Sequence, residues 1–179
     1  MLTRPPTELD RMLDKIEKGE MPLTPECMGK VAQEIGKLFG VAADEVAVLE
    51  LARSGKALKF VLPEKLRVVG QIPLTSTTAL AARTVRDRRA DIVNNFATSR
   101  HAIVFEGVAL GLGRKQNEVI QKIMSIPILN GDKVIGAAQI SRKGISLASS
   151  GPDFTAKDLT DLQAISGALR RFLELPRTS

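Results

Sequence analysis

The stretch "IPILNGDKVIGAAQISRK", residues 126–143, decides the fold. Asn130-Gly131 stands between two apolar runs, and both residues tolerate the positive φ that a tight turn between antiparallel strands demands. The reading is a β-hairpin. In its second strand Val134, Gly136, Ala138 and Ile140 are expected on one side, with Ile135, Ala137, Gln139 and Ser141 on the other. Small residues on both faces point to a central strand crowded by its neighbours. Gly136 in mid-strand points to a close approach of backbone or ligand. Pro127 donates no ladder hydrogen bond, so a bulge or a local edge is expected beside it. The second strand stops in Arg142-Lys143, and these polar residues mark either a site or only the end of a strand.

Upstream of the hairpin lies the least regular part of the chain, "NNFATSRHAIVFEGVALGLGRKQNEV" at 94–119, with the only histidine and three glycines. A connection of this length inside a compact domain is often a lid or binding loop. Before it, "DIVNN" at 91–95 reads as a short strand and "IPLTSTTALAARTVRDRRA" at 72–90 as a helix capped by Thr75 or Ser76. A second hairpin joins "VAVLELA" at 46–52 to "ALKFVL" at 57–62 through Ser54-Gly55. The first forty residues read as two helices. Thr7 caps one, with Leu9, Leu13 and Ile16 on one face and Gly19 at its end; Thr24 with Pro25 opens the other, with Val31, Ile35 and Leu38 on one side and Gly40 past its end.

Downstream, a loop rich in Ser and Gly leads to "FTAKDL", where Thr155 is an N-cap, Asp158 its capping-box partner, and Phe154 a staple onto Leu159. Leu159, Leu162, Ile165, Leu169, Phe172 and Leu173 continue a wide apolar face, read as one last helix.

Composition narrows the function classes. The chain has 179 residues, 44% hydrophobic and 26% charged, the balance of a soluble globular domain. No apolar run reaches the roughly 18–20 residues of a membrane span, and the N-terminus has no signal-like apolar core. A single cysteine, Cys27, excludes an internal disulfide and a cysteine-rich metal site. The expected compartment is the cytoplasm. Net charge is +6, with Arg83, Arg86, Arg88 and Arg89 clustered at a helix end. There they complement the helix dipole or meet an anionic partner. With no Tyr or Trp and six Phe, a stacking platform for nucleic acid is poorly supplied, and no nucleic-acid partner is expected.

The order helix, helix, hairpin, helix, strand, long loop, hairpin, helix resembles that of a GAF domain. "SIPILNGDKVIGAAQISRK" is similar to the family's paired strands, "GPDFTAKDLTDLQAISGAL" to its closing helix, and "GQIPLTSTTALAARTV" to the segment leading into its middle helix. The resemblance implies an α/β (α+β) fold: a central antiparallel sheet of about six strands with helices on both faces. Terminal helices would pack on one face, and the middle helix and long loop would cover a pocket on the other. Residues 1–40 are expected as helices packing on or extending the domain, and 41–175 as the GAF domain itself. Family members bind small molecules, including cyclic nucleotides, or dimerise through terminal helices to pass a signal. An effector domain is usually attached; only "PRTS" follows the closing helix here, so none is expected.

The family's cyclic-nucleotide signature, an Asn-Lys-x-Phe-Asp-Glu set, has no counterpart in "SRKGISLASSGPDFTAKD". Bilin attachment needs a cysteine in the pocket, whereas Cys27 falls in the second helix. The family's free methionine sulfoxide reductases use several cysteines, because the chemistry needs a nucleophilic thiolate and a resolving partner. One cysteine speaks against that enzyme.

Candidate ligand-binding residues follow, each beside a structural counterpart. His101 is a candidate to ligate a metal or haem or to act as a general base, or merely to hydrogen-bond in a polar loop. Thr75, Ser76 and Thr77 offer an anion site at a helix start, or only capping. Asn94, Phe96 and Phe105 cluster in the loop opposite Gly136 and Gln139. Gln139, Ser141 and Arg142 mark a pocket floor and rim, or the exposed end of a strand. "GVALGLGR" matches neither the Walker nor the dinucleotide spacing. No catalytic or metal-binding set emerges, and no ligand or cofactor is named by the residues. The expectation is a non-enzymatic sensory or regulatory module. It would bind a small molecule and signal through a homodimer, by way of its terminal helices, or through a partner protein. The alternative is an interaction module with a vestigial pocket.

Overall fold

The computed structural model describes residues 5–98 and 118–176 of the chain. Its strands are β1 (Val46–Leu51), β2 (Ala57–Leu62), β3 (Gln71–Pro73), β4 (Asp91–Val93), β5 (Val119–Asn130) and β6 (Lys133–Gly144). They form one six-stranded sheet in the order β3-β2-β1-β6-β5-β4, antiparallel throughout. The small-residue strand β6 is central, between β1 and β5. A Cβ on Gly136 would lie 2.1 Å from the carbonyl oxygen of Leu49 and 2.8 Å from Leu173 Cδ1. The close approach is thus made by backbone and a core side chain.

Both expectations for Pro127 hold. β4 pairs only with Ile123, Met124 and Ser125, so at Pro127 the outer side of β5 has no partner strand. The ladder then slips between Ile128 and Leu129, which face Gly136 and Val134. Ile135 is the extra residue of this bulge, and it corrects the expected alternation. Val134 packs with Ala137 on one face, while Ile135 packs on the other.

The helices are α1 (Glu8–Glu17), α2 (Pro25–Phe39), α3 (Leu80–Asp87), α4 (Ala156–Ala164) and α5 (Ser166–Glu174). Apolar side chains of α1, α2, α4 and α5 meet Val46, Val48, Ala138 and Ile140 in the main core on one sheet face. α3 closes the other face over Leu49, Leu58, Phe60 and Ala137.

The caps form as local chemistry dictates. Thr7 and Asp10 make a reciprocal box, and Thr24 Oγ1 accepts from Cys27 N–H ahead of Gly40 in the left-handed region at φ 66°. Asp158 N–H donates to Thr155 Oγ1 at 3.2 Å, and Thr155 N–H to Asp158 Oδ2 at 2.8 Å. Thr155→Ala is expected to cost about 1 kcal/mol, because one orphan amide loses its acceptor. An unchanged urea midpoint would show that this end of the chain frays in the native state.

Three expectations need correction. The last helix is two, α4 and α5, divided at Ile165, whose N–H reaches back to Leu162 O at 3.2 Å in a tightened turn. α3 starts at Ala79 without a side-chain cap, while Ser76 Oγ accepts from Thr78 and Ala79 N–H one turn earlier. Leu38 is exposed, and Phe39 takes the buried place at the end of α2. The apolar stripe of α1 is covered within its own chain: Leu9, Met12 and Leu13 are buried in the main core.

Candidate ligand-binding cleft

On the α3 face, strand alternation sets Gln139, Ser141 and Lys143 of β6 in one row. They form one side of a cleft whose other walls are Phe60, Leu66, Ile120 and Ile123. Its volume between the described residues is about 30 Å³, space for water rather than for an organic molecule.

The polar side chains in and beside this cleft are buried and engaged. Thr84 of α3 donates its hydroxyl to Leu80 O at 2.9 Å, so it must accept from Ser125 Oγ, 2.7 Å away. Ser125 in turn accepts from Gln139 Nε2 at 3.2 Å. The result is a one-way hydrogen-bond chain from β6 through β5 to α3. Ser125 is fully buried and Gln139 nearly so. Ser141 Oγ donates to Glu45 O at 3.2 Å, and Lys143 Nζ to Asp44 O at 3.0 Å. A buried ammonium is costly unless held by such acceptors, so the short turn before β1 is tied to the end of β6.

Of the residues singled out in the sequence, Gln139 and Ser141 line this cleft. Phe96 is buried with Leu80, Ile120 and Ile123, behind the cleft wall. The others lie elsewhere. Thr75 and Thr77 are exposed in the turn between β3 and α3, with Ser76 half-buried beside them. Asn94 grips the peptide ahead of α4: its Nδ2 donates to Phe154 O at 3.0 Å, and its Oδ1 accepts from Phe154 N–H at 2.9 Å. Arg142 points to the opposite face, where it donates to Phe39 O at 3.2 Å and stands 4.6 Å over the Phe154 ring. There it satisfies a helix C-terminus. His101 and Phe105 lie outside the described residues.

Thr84 and Ser125 were not singled out, and Lys143 entered only as part of the polar strand end Arg142-Lys143. Parity along β6 from Gln139 leads to Lys143, whereas Thr84 and Ser125 meet only across 41 residues of chain.

The arginine cluster is mostly structural. Arg83 pairs with Asp91, Arg86 donates to the carbonyls of Leu74 and Ser76, and Arg88 to that of Asp132. Burial pushes the Cys27 thiol pKa up, away from thiolate chemistry. Among the described residues there is no cluster of His, Cys, Asp and Glu able to hold a metal, and no helix long and apolar enough to cross a membrane.

The described residues thus form an α/β domain: a six-stranded antiparallel sheet with terminal helices on one face, and α3 with a small cleft beside it on the other. The chain belongs to the GAF domain family, whose profile matches residues 25–171. Such domains are in general sensory or regulatory modules that bind small molecules. The GAF domain from an Acinetobacter phosphoenolpyruvate-protein phosphotransferase is 12% identical, with a TM-score of 0.57 over 90% of each chain. The second GAF domain of DevS from Mycobacterium smegmatis is 18% identical, with a TM-score of 0.54 over 84% of this chain and 94% of that one. fRMsr of Staphylococcus aureus, in its reduced form, is 18% identical, with a TM-score of 0.51 over 97% and 99%. At these identities the likeness is one of fold. No curated protein sequence matches the chain.

Proposed function

We propose that the protein is a non-catalytic regulatory GAF module whose cleft beside α3 widens, from the water-sized space between the described residues, to take a small polar molecule. The observation that carries this reading is the Gln139–Ser125–Thr84 chain. It joins the cleft floor to α3, so a ligand that competes for Gln139 would pull on that helix. Gln139, Ser141 and Lys143 would orient the ligand, and Phe60 and Leu66 would enclose its apolar part. The signal would pass to a second copy of the chain or to a partner protein.

One observation favours the alternative, an interaction module with a vestigial pocket: the cleft is small and its polar groups already satisfy one another. A thermal-shift screen of nucleotides, small acids and amino acids separates the two. At 100 times its dissociation constant, a ligand specific for the folded state adds about 2.7 kcal/mol. Stabilisation lost in Gln139→Leu supports the sensor; silence across the screen at millimolar concentration supports the interaction module.

A further inference from the structure

The β1–β2 end of the sheet carries a second concavity, a groove of about 760 Å³. Leu51, Ala52 and Phe60 supply its apolar wall. Arg53, Lys59 and Arg67 reach it from three separate segments: the turn after β1, strand β2, and the short helical turn Glu64–Val68. All three are exposed, and none hydrogen-bonds or ion-pairs through its side chain with another described residue. Glu50 is the one carboxylate in the lining, and it makes a contact of its own. Three cations against one carboxylate leave the groove positive. Like charges gathered around a concavity repel one another, and an anion seated between them relieves that repulsion. Guanidinium groups in particular match phosphate and carboxylate oxygens with paired hydrogen bonds.

We propose that this groove is a binding site for a small organic anion. Its phosphate or carboxylate would lie among Arg53, Lys59 and Arg67, with its apolar body on Leu51, Ala52 and Phe60. The site is distinct from the cleft beside α3 and does not depend on that cleft being occupied, although Phe60 forms part of both walls.

Phenyl phosphate serves as the probe, with phenol as its uncharged counterpart, in a titration of the whole chain followed by backbone amide NMR. Phenyl phosphate is expected to give saturable shifts centred on Arg53, Lys59 and Arg67. The double variant Arg53→Gln, Arg67→Gln should weaken binding by about tenfold or more. Its spectrum shows directly that it remains folded. Arg89→Gln, in a different surface pocket, and Gln139→Leu, in the cleft, should bind as the wild type does. Added salt should weaken binding. No saturable shift up to about 10 mM overturns the proposal. So does equal binding of phenol, or a double variant that binds like the wild type.

Discussion

Gly136→Ala is expected to destabilise the fold by about 3 kcal/mol or more, the upper range for overpacking a core. The added Cβ would stand 2.1 Å from Leu49 O, an atom of the β1 backbone held in register with β6. A side chain could turn aside, but a paired strand cannot do so without losing its ladder. The nearest alternative direction is closed by Leu173 Cδ1 at 2.8 Å. Gly29 of α2 provides the control, because a Cβ there meets nothing within 4 Å. Gly29→Ala should stabilise by up to about 1 kcal/mol through helix propensity alone. Urea denaturation measures both. A Gly136→Ala midpoint equal to the wild type would mean that β1 and β6 are not packed as closely as described.

What the sequence made legible was decided within a few residues. Thr7, Thr24 and Thr155 cap helices because an extended hydroxyl residue followed three positions later by an amide is a local event. The hairpin is as local, but it turns at Gly131-Asp132 rather than at Asn130-Gly131: Asn130 is still paired with Lys133, and of the expected two only Gly131 takes a positive φ, 60°. The bulge at Ile135 was less accessible, because it depends on how β5 and β6 settle against each other beyond the end of β4. The break at Ile165 carries no proline, so nothing local announces it.

Among the candidate site residues, Arg142 is instructive. Strand parity puts it on the face opposite Gln139, Ser141 and Lys143, and the family resemblance said nothing against that. The hydrogen-bond chain through Ser125 and Thr84 had no such sign. It exists only once register and the packing of α3 bring two hydroxyls together. A polar residue in a buried strand announces that a partner exists, not which one it is.

Leu13→Ala is expected to cost about 2–5 kcal/mol, and to do so independently of protein concentration. Leu13 is fully buried between α1 and the rest of its own chain, alongside Leu9 and Met12. The sequence alone left α1 free to pair across a two-fold axis. The structure instead closes it onto α2 and α5 within one chain. At the rim of that contact, Arg171 donates to Asp14 at 2.7 Å and to Glu17 at 2.9 Å. The Glu17 carboxyl is held below its usual pKa, first by its hydrogen bond from Arg171. A depressed carboxylate contributes stability above its unfolded pKa and loses it as pH falls through the folded value. Both partners are partly exposed, so Arg171→Met should cost less than about 1 kcal/mol, well under Leu13→Ala. Denaturation at several protein concentrations decides between the two arrangements. A helix packed within its own chain gives a Leu13→Ala cost that is the same at every concentration, whereas a helix shared with a second copy gives a variant whose midpoint also loses the wild type's rise with concentration. Any homodimer of this chain must then be built on a surface other than the buried face of α1.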